Sequence, residues 1–195
     1  VVCNSETTRR DLVRLVGNRE GRGEPVVEYG QNYPYRPMAT EEARSRLARL
    51  EVLPDPFFIH VGGNDWYKNR LGVLRIFLEV SRYQEFSSCQ LVMAGKPLTE
   101  EMRTFVAKYG LEGRVLERTG LDNEDLRALY STADALIWPS FAEGFGWPVI
   151  EAQACCCPVF ASNRPPIPEV GGEGAIYFDP EDPFAAARVI RDHWG

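Results

Sequence analysis

The chain has 195 residues, enough for one substantial core or for one domain with a fragment of another. Hydrophobic residues make up 44% and charged residues 26%, as in an ordinary soluble globular protein, and the formal net charge of −6 argues against a broad nucleic-acid or anionic-membrane footprint. It leaves room for one small anionic ligand held locally, while no apolar run approaches bilayer-spanning length and no signal peptide is visible.

The opening VVCN (1–4) reads as a strand, and Ser5 with the residues to about Gly17 as a helix. Because it begins inside that strand and without a Met, the chain is expected to be a piece of a longer protein. NREGRGEP (18–25) is a Gly- and charge-rich break, and VVEYGQNYPYRP (26–37) runs extended to Pro37. Residues 1–20 are therefore expected to close one domain, with 21–37 as a hinge into a second domain, 21–195.

From Pro56 onward apolar runs alternate with amphipathic stretches. Strands are predicted at 56–63, 90–95, 113–118, 134–140, 158–162 and 174–180. Helices are predicted at 69–82, 99–109, 122–133, 147–156 and 183–194, the third with Asp122 as N-cap and Asp125 at N3. Continuous apolar strands separated by helices predict an α/β, Rossmann-like parallel sheet covered on both faces and joined by right-handed crossovers. Ligands of such sheets sit outside the carboxyl ends of the strands. That rule selects three loops: 62–68, 95–97 and 139–147.

EGFGWPVIE (143–151) holds the densest chemistry. Gly144 and Gly146 let the backbone approach a ligand, and Pro148 suits the first turn of a helix because its missing N–H is not needed there. A helix starting near Trp147 aims free N–H groups and its positive dipole end at the loop. Glu151 lies about 4.5 Å along the axis from Pro148, and helical side chains lean back toward the N-terminus. Beside an anion site a carboxylate accepts from hydroxyls, since like charges repel. Glu143 or Glu151 alone is better read as a helix-start charge interacting with the dipole. Both together around Gly-Phe-Gly at a strand end point to a polyol on each side of a phosphate, the order found in a nucleoside diphosphate sugar.

VGGNDWYKN (61–69) opens with the tight Gly62-Gly63 turn, and Lys68 follows where the next helix begins. The chain uses Arg 19 times and Lys three times, so a compact ammonium here suits a phosphate; a solvated helix-start residue is the other reading. Trp66 and Tyr67 either cover a ligand or pack. His60 reads as a satisfied core histidine. Asp122, Glu124 and Asp125 read as a capped helix start rather than a metal cluster, and no Asp-x-Asp pair is present to bridge a metal to a diphosphate. The five cysteines, Cys3, Cys89 and Cys155 to Cys157, have the wrong spacing for a metal site and read as small apolar filler, suggesting a reducing cytosol.

Glu143 and Glu151, seven residues apart around Gly-Phe-Gly, resemble the E-x7-E signature of the retaining GT-B glycosyltransferases of family four (group 1). The resemblance covers nearly the whole chain. VVCNSETTRRDLVR resembles the last strand and helix of that family's acceptor domain, VGGNDWYKNR the first donor-domain loop, and LVMAG the second strand. LDNEDLRALYSTADALIWPSFAEGFGWPVIEAQACCCPV resembles the core motif region, and SNRPPIPEVGGEGAIYFDPEDP the stretch after it.

The resemblance implies the C-terminal, donor-binding half of a GT-B fold, transferring a hexose from a UDP- or GDP-sugar with retained anomeric configuration and no metal. It implies Glu143 on hexose hydroxyls, Glu151 on the ribose, and the amides of Phe145, Gly146 and Trp147 on the diphosphate or sugar. Lys68 would meet the phosphates, with Gly62, Gly63 and Asn64 in the same loop, and Leu121 beside Gly120 would lie against the base. Many relatives carry an Arg where Gly63 stands; either Asn64, Arg70 or Arg164 substitutes for it, or phosphate is held more weakly. The acceptor (a glycan, lipid-linked or small molecule) is expected to bind a preceding N-terminal domain, so that this piece alone binds donor without turnover. A cytoplasmic setting is implied, with peripheral membrane contact through that domain. Two other readings stay open: a sugar-nucleotide-binding module without catalysis, and an NAD-binding Rossmann domain. Val149 stands where the latter's third glycine belongs.

Overall fold

The computed structural model describes residues 1–17, 23–52 and 56–194. Parts of the 18–25 break, residues 18–22, lie outside the described residues, as does the point at which the two expected domains were to meet.

The first helix, α1 (Glu6–Val16), starts where Ser5 accepts from Thr8 N at 3.0 Å and ends at Gly17, whose φ of 75° a glycine adopts without strain. VVCN forms no strand. Its pairing is a single bridge, Cys3 with Val26, made by Cys3 N to Pro25 O at 3.0 Å and Val27 N to Cys3 O at 2.8 Å. The isolated run of apolar residues has one neighbour segment, too short for a ladder. Residues 33–38 run extended along the helix that follows the third strand: Arg127 donates to Arg36 O at 2.8 Å and Pro37 O at 3.1 Å, and Met38 N donates to Ser131 Oγ at 3.0 Å.

A helix not predicted from sequence follows, α2 (Thr40–Arg49). It buries only Ala43 and Leu47, too few apolar positions for a periodic signal, and is held instead by Arg46 and Arg49, which both pair with the buried Asp125. Tertiary contacts thus supply what propensity does not.

The remaining elements are β1 (Phe57–Gly62), α3 (Arg70–Val80), β2 (Gln90–Gly95), α4 (Glu100–Lys108), β3 (Val115–Thr119), α5 (Asn123–Thr132), β4 (Ala135–Trp138), α6 (Trp147–Ala154), β5 (Val159–Ser162), α7 (Ile167–Gly171), β6 (Ile176–Phe178) and α8 (Pro183–Asp192). They follow the predicted order except for α7, which at five residues is too short to give a periodic signal and was not predicted. Asp122 and Asp125 form the expected reciprocal cap of α5. All six strands are parallel, in the order β3-β2-β1-β4-β5-β6. One apolar layer, including Leu129, Tyr130, Trp138 and Val149, lies against α2, α5 and α6; the other, including Phe58, Phe77, Met93 and Ile190, lies against α3, α4 and α8. Each fully buried Leu or Phe in these layers contributes about 1.5–3 kcal/mol relative to exposure.

The strand order reverses between β1 and β4, so the loops leaving their carboxyl ends diverge to opposite faces and open a crevice there. No described helix is long and apolar enough to cross a membrane. All five cysteines are free; Cys155 and Cys157 are buried as expected, but Cys156 is exposed with a φ of 61°, because the chain turns there into β5.

Candidate functional site

Two of the three loops selected from sequence meet at the crevice. Loop 63–69 leaves β1 through a short 3-10 turn, Trp66–Lys68, so Lys68 precedes the helix rather than opening it. Asn69, with a φ of 50°, then caps α3 by accepting from Gly72 N at 3.2 Å. Its amide nitrogen donates to Pro139 O at 3.0 Å, and Phe141 N donates to Tyr67 O at 2.8 Å, stitching the β1 loop to the β4 loop.

Across that seam Lys68 Nζ reaches both oxygens of Glu143, at 2.9 and 2.8 Å, and Ser140 Oγ donates to Glu143 at 2.7 Å. The Glu143 side chain is 5% exposed and that of Lys68 16%. Beneath the ammonium lies the ring of Trp138, 4.9 Å from Nζ to its centroid, a cation–π contact that orients the lysine from the end of β4. His60 also stacks on Trp138, with ring centroids 5.2 Å apart. Burial pushes the pKa of His60 down to about 3, so the ring is neutral. Its Nδ1 bonds Ile137 O at 3.0 Å but its Nε2 has no partner among the described residues, so this core histidine is only half satisfied there.

The glycines behave as the loop requires. Gly146 has a φ of 103°, and a Cβ there would lie 2.6 Å from Ile167 Cδ1, so α7 packs against this turn only because the side chain is missing. Pro148 falls in the first turn of α6, as predicted. The N–H groups of Gly144, Phe145, Gly146 and Trp147 find no acceptor among the described residues, although Phe145 and Gly146 are buried. Buried amides left open at a helix N-terminus form an anion-binding cradle.

Glu151, one turn into α6, is 7% exposed and accepts from the hydroxyl of the fully buried Tyr130 at 3.1 Å. Burial raises its pKa, against the lowering effect of that hydrogen bond. From the N-terminal side, Tyr29 stacks on Trp147 at 5.2 Å and meets Phe145 edge-on at 5.4 Å. Thr8 Oγ1 approaches Gly144 O at 3.5 Å, and Glu169 on α7 accepts from Thr7 N at 3.2 Å and from Glu6 N. Helix α1 buries none of its own residues, so this carboxylate at its N-terminus is a main tie to the rest of the chain.

A sequence comparison assigns this arrangement: residues 43–193 match the family described as glycosyl transferases group 1. The chain belongs to that family. It is 27% identical over 192 residues to O-antigen chain mannosyltransferase B of Escherichia coli, covering 97% of this chain and 50% of the relative. It is 32% identical over 137 residues to O-antigen chain mannosyltransferase RfbU of Salmonella typhimurium, covering 70% of this chain and 38% of the relative. The chain thus spans half the length, or less, of these curated relatives. Its fold superposes on Anabaena Alr3699/HepE, solved in complex with UDP and glucose, with a TM-score of 0.83 at 19% identity, covering 98% of this chain and 52% of that one.

In this group 1 chain the cations expected to stand in at Gly63 are engaged elsewhere. Arg70 is 2% exposed and donates to Asn64 Oδ1 and, at 3.3 Å, to Pro97 O. Asn64 donates to Pro97 O at 2.9 Å. Together with Asp65, Trp66, Thr99 and Glu101 these two line a separate cavity of about 210 Å³ on the α3–α4 side. Arg164 is shared between Asp179 at 3.3 Å and Glu181 at 3.1 Å. Trp66 is 77% exposed and neither packs in the core nor covers the crevice. Leu121 is half-buried just after the exposed Gly120, at the end of β3. Sequence reasoning missed Trp138, Ser140 and Tyr130. Trp138 ends β4 and Ser140 follows it two residues on, in WPS (138–140), and a tyrosine inside the otherwise apolar ALY of α5 was the available signal for the third. Among the described residues no group of three or more His, Cys, Asp or Glu side chains is arranged to hold a metal ion.

Proposed function

We propose that this chain is the donor-binding half of a hexosyltransferase that takes a UDP- or GDP-sugar and transfers the sugar with retention of anomeric configuration, without a metal ion. The observation that carries the reading is the Lys68–Glu143 pair at the sheet's reversal point, next to open amides at the start of α6. The pair presents a phosphate-binding cation and a hydroxyl-binding carboxylate side by side, the two groups needed where a diphosphate joins a sugar.

In this reading Lys68 and the amides of Phe145, Gly146 and Trp147 bind the diphosphate, with Gly62, Gly63, Asn64 and Gly144 shaping the loops around it. Glu143 accepts from the hexose hydroxyls, Glu151 from the ribose, and Leu121 flanks the base. As the bond from the anomeric carbon to the diphosphate breaks, charge moves onto the departing oxygen. Preorganised donors stabilise that charge while the sugar passes through an oxocarbenium-like state. The names of the relatives, O-antigen mannosyltransferases, favour a glycan acceptor, bound by a part of the protein outside this donor-binding half. Five free thiols agree with a cytoplasmic setting.

Calorimetry with UDP, GDP and NAD, each with and without EDTA, tests the reading. Binding of UDP or GDP that EDTA leaves intact is expected. Binding of NAD alone, or nucleotide binding abolished by EDTA, overturns it.

A further inference from the structure

The ion pair that defines the site also leaves it short of positive charge. Lys68 is bound to both oxygens of Glu143, so the pair is neutral as a unit. The N-terminus of α6 adds the equivalent of roughly half an elementary charge. A diphosphate carries a negative charge on each phosphorus group, so a further cation is called for at the same loops. Arg70 is buried against Asn64 and Pro97, and Arg164 is held by two carboxylates.

One cation beside the glycine turn remains uncommitted. Lys96 follows β2, is exposed, and forms no ion pair among the described residues. Its backbone N–H donates to Gly62 O at 3.2 Å, which fixes it to the end of β1. Gly95, just before it, has a φ of 116°, and a Cβ there would collide with Gly62 O, so β1 and β2 end in close backbone contact.

The two lysine stems then flank neighbouring residues of one turn. A Cβ on Gly62 would lie 3.9 Å from Lys68 Cγ and Cδ, and a Cβ on Gly63 would lie 4.0 Å from Lys96 Cγ. Lys68 thus lies against the first glycine of the turn and Lys96 against the second, where the Asp65 carboxylate also lies, 3.0 Å from a Cβ placed on Gly63. The chain has only three lysines, and two of them converge here.

We infer that Lys96 is a second diphosphate-binding cation of this site, reaching over Gly63 to the phosphate that the Lys68–Glu143 pair leaves under-neutralised. The inference rests on the donor-binding reading above. A flexible ammonium on an exposed stem suits this role because it moves onto the ligand when it arrives.

The test is binding of UDP, GDP, inorganic diphosphate and the two nucleosides to the wild-type chain and to Lys96→Ala, Lys96→Arg and Lys108→Ala. Lys96→Ala should weaken UDP or GDP about tenfold, ~1.4 kcal/mol, and weaken inorganic diphosphate likewise, with nucleoside affinity unchanged. Lys96→Arg should retain most of the affinity and Lys108→Ala all of it. The deficit of Lys96→Ala should shrink as salt is raised, because an exposed charge is screened. Wild-type affinity in Lys96→Ala, while Lys68→Ala has lost it, overturns the role of Lys96 and leaves the donor site standing. A wild-type chain that binds neither nucleotide overturns both.

Discussion

Lys68 Nζ lies 2.9 and 2.8 Å from the two carboxylate oxygens of Glu143, closing an ion pair across the line where the sheet reverses its strand order. Both charges are largely withdrawn from water, so each depends on the other until a ligand supplies a phosphate for the ammonium and hydroxyls for the carboxylate.

Removing Lys68 therefore has two effects. Lys68→Ala leaves a desolvated carboxylate unpaired and should cost about 3 kcal/mol in denaturant titrations, within the range for breaking a buried pair. Adding Glu143→Ala should restore part of that loss. The same Lys68→Ala variant should bind UDP or GDP more weakly while uridine or guanosine affinity holds. Equal nucleotide affinity in wild type and variant would remove Lys68 from the phosphate.

Glu143→Ala separates sugar from phosphate. It frees Lys68, so nucleoside diphosphate affinity should be maintained or rise. Transfer by the full-length protein should fall by about 100-fold or more, as expected when an interaction of the transition state is removed. Parallel loss of transfer and nucleotide affinity would mean that Glu143 does not contact the sugar.

Burial of Glu151 disfavours its charged form, which costs stability as the pH rises. Burial raises its pKa above the ordinary 4.5, so the folded chain binds the proton more tightly than the unfolded one. Its contribution is most favourable below about pH 4.5 and is lost as the pH rises through the folded-state pKa. Glu151→Gln should raise the melting temperature at pH 7.5, with the gain vanishing near pH 4, while weakening nucleoside binding. A variant no more stable than wild type at pH 7.5 would contradict the burial cost.

His60 works in the opposite sense. With its pKa pushed down to about 3 from 6.5, the neutral ring stabilises the fold fully above pH 6.5, and that contribution is lost as the pH falls from 6.5 toward 3. His60→Gln keeps a donor for Ile137 O but does not titrate. Its stability should decline less steeply than wild type between about pH 6.5 and pH 4, measured by urea titration at several pH values. Parallel acid limbs in the two proteins would assign the decline to other groups.

Most of the fold was legible because its signals are local. QLVMAG is an uninterrupted apolar run, and the structure assigns β2 to the same six residues, Gln90–Gly95. Asp122 and Asp125 are spaced for a reciprocal cap and make one. Helix α2 was illegible because its stabilising partner, Asp125, lies about eighty residues away in sequence. The site divides along the same line. Glu143, the glycines and Lys68 carry their chemistry in the sequence, but the ion pair joins residues 75 positions apart. The strand-end rule selected the 95–97 loop, but Lys96 within it was not singled out, because its relation to Gly63 exists only through the contact between the ends of β1 and β2.

The stacking of Tyr29 on Trp147, with ring planes 16° apart, brings the extended N-terminal segment against the first residue of α6. Trp147 is thereby a built-in optical gauge. Its near-ultraviolet dichroism depends on a tyrosine from one side and on the amide cradle on the other. Displacement of the segment and arrival of an anion at the loop should both change this one indole's share of a spectrum to which four tryptophans contribute, with no label attached.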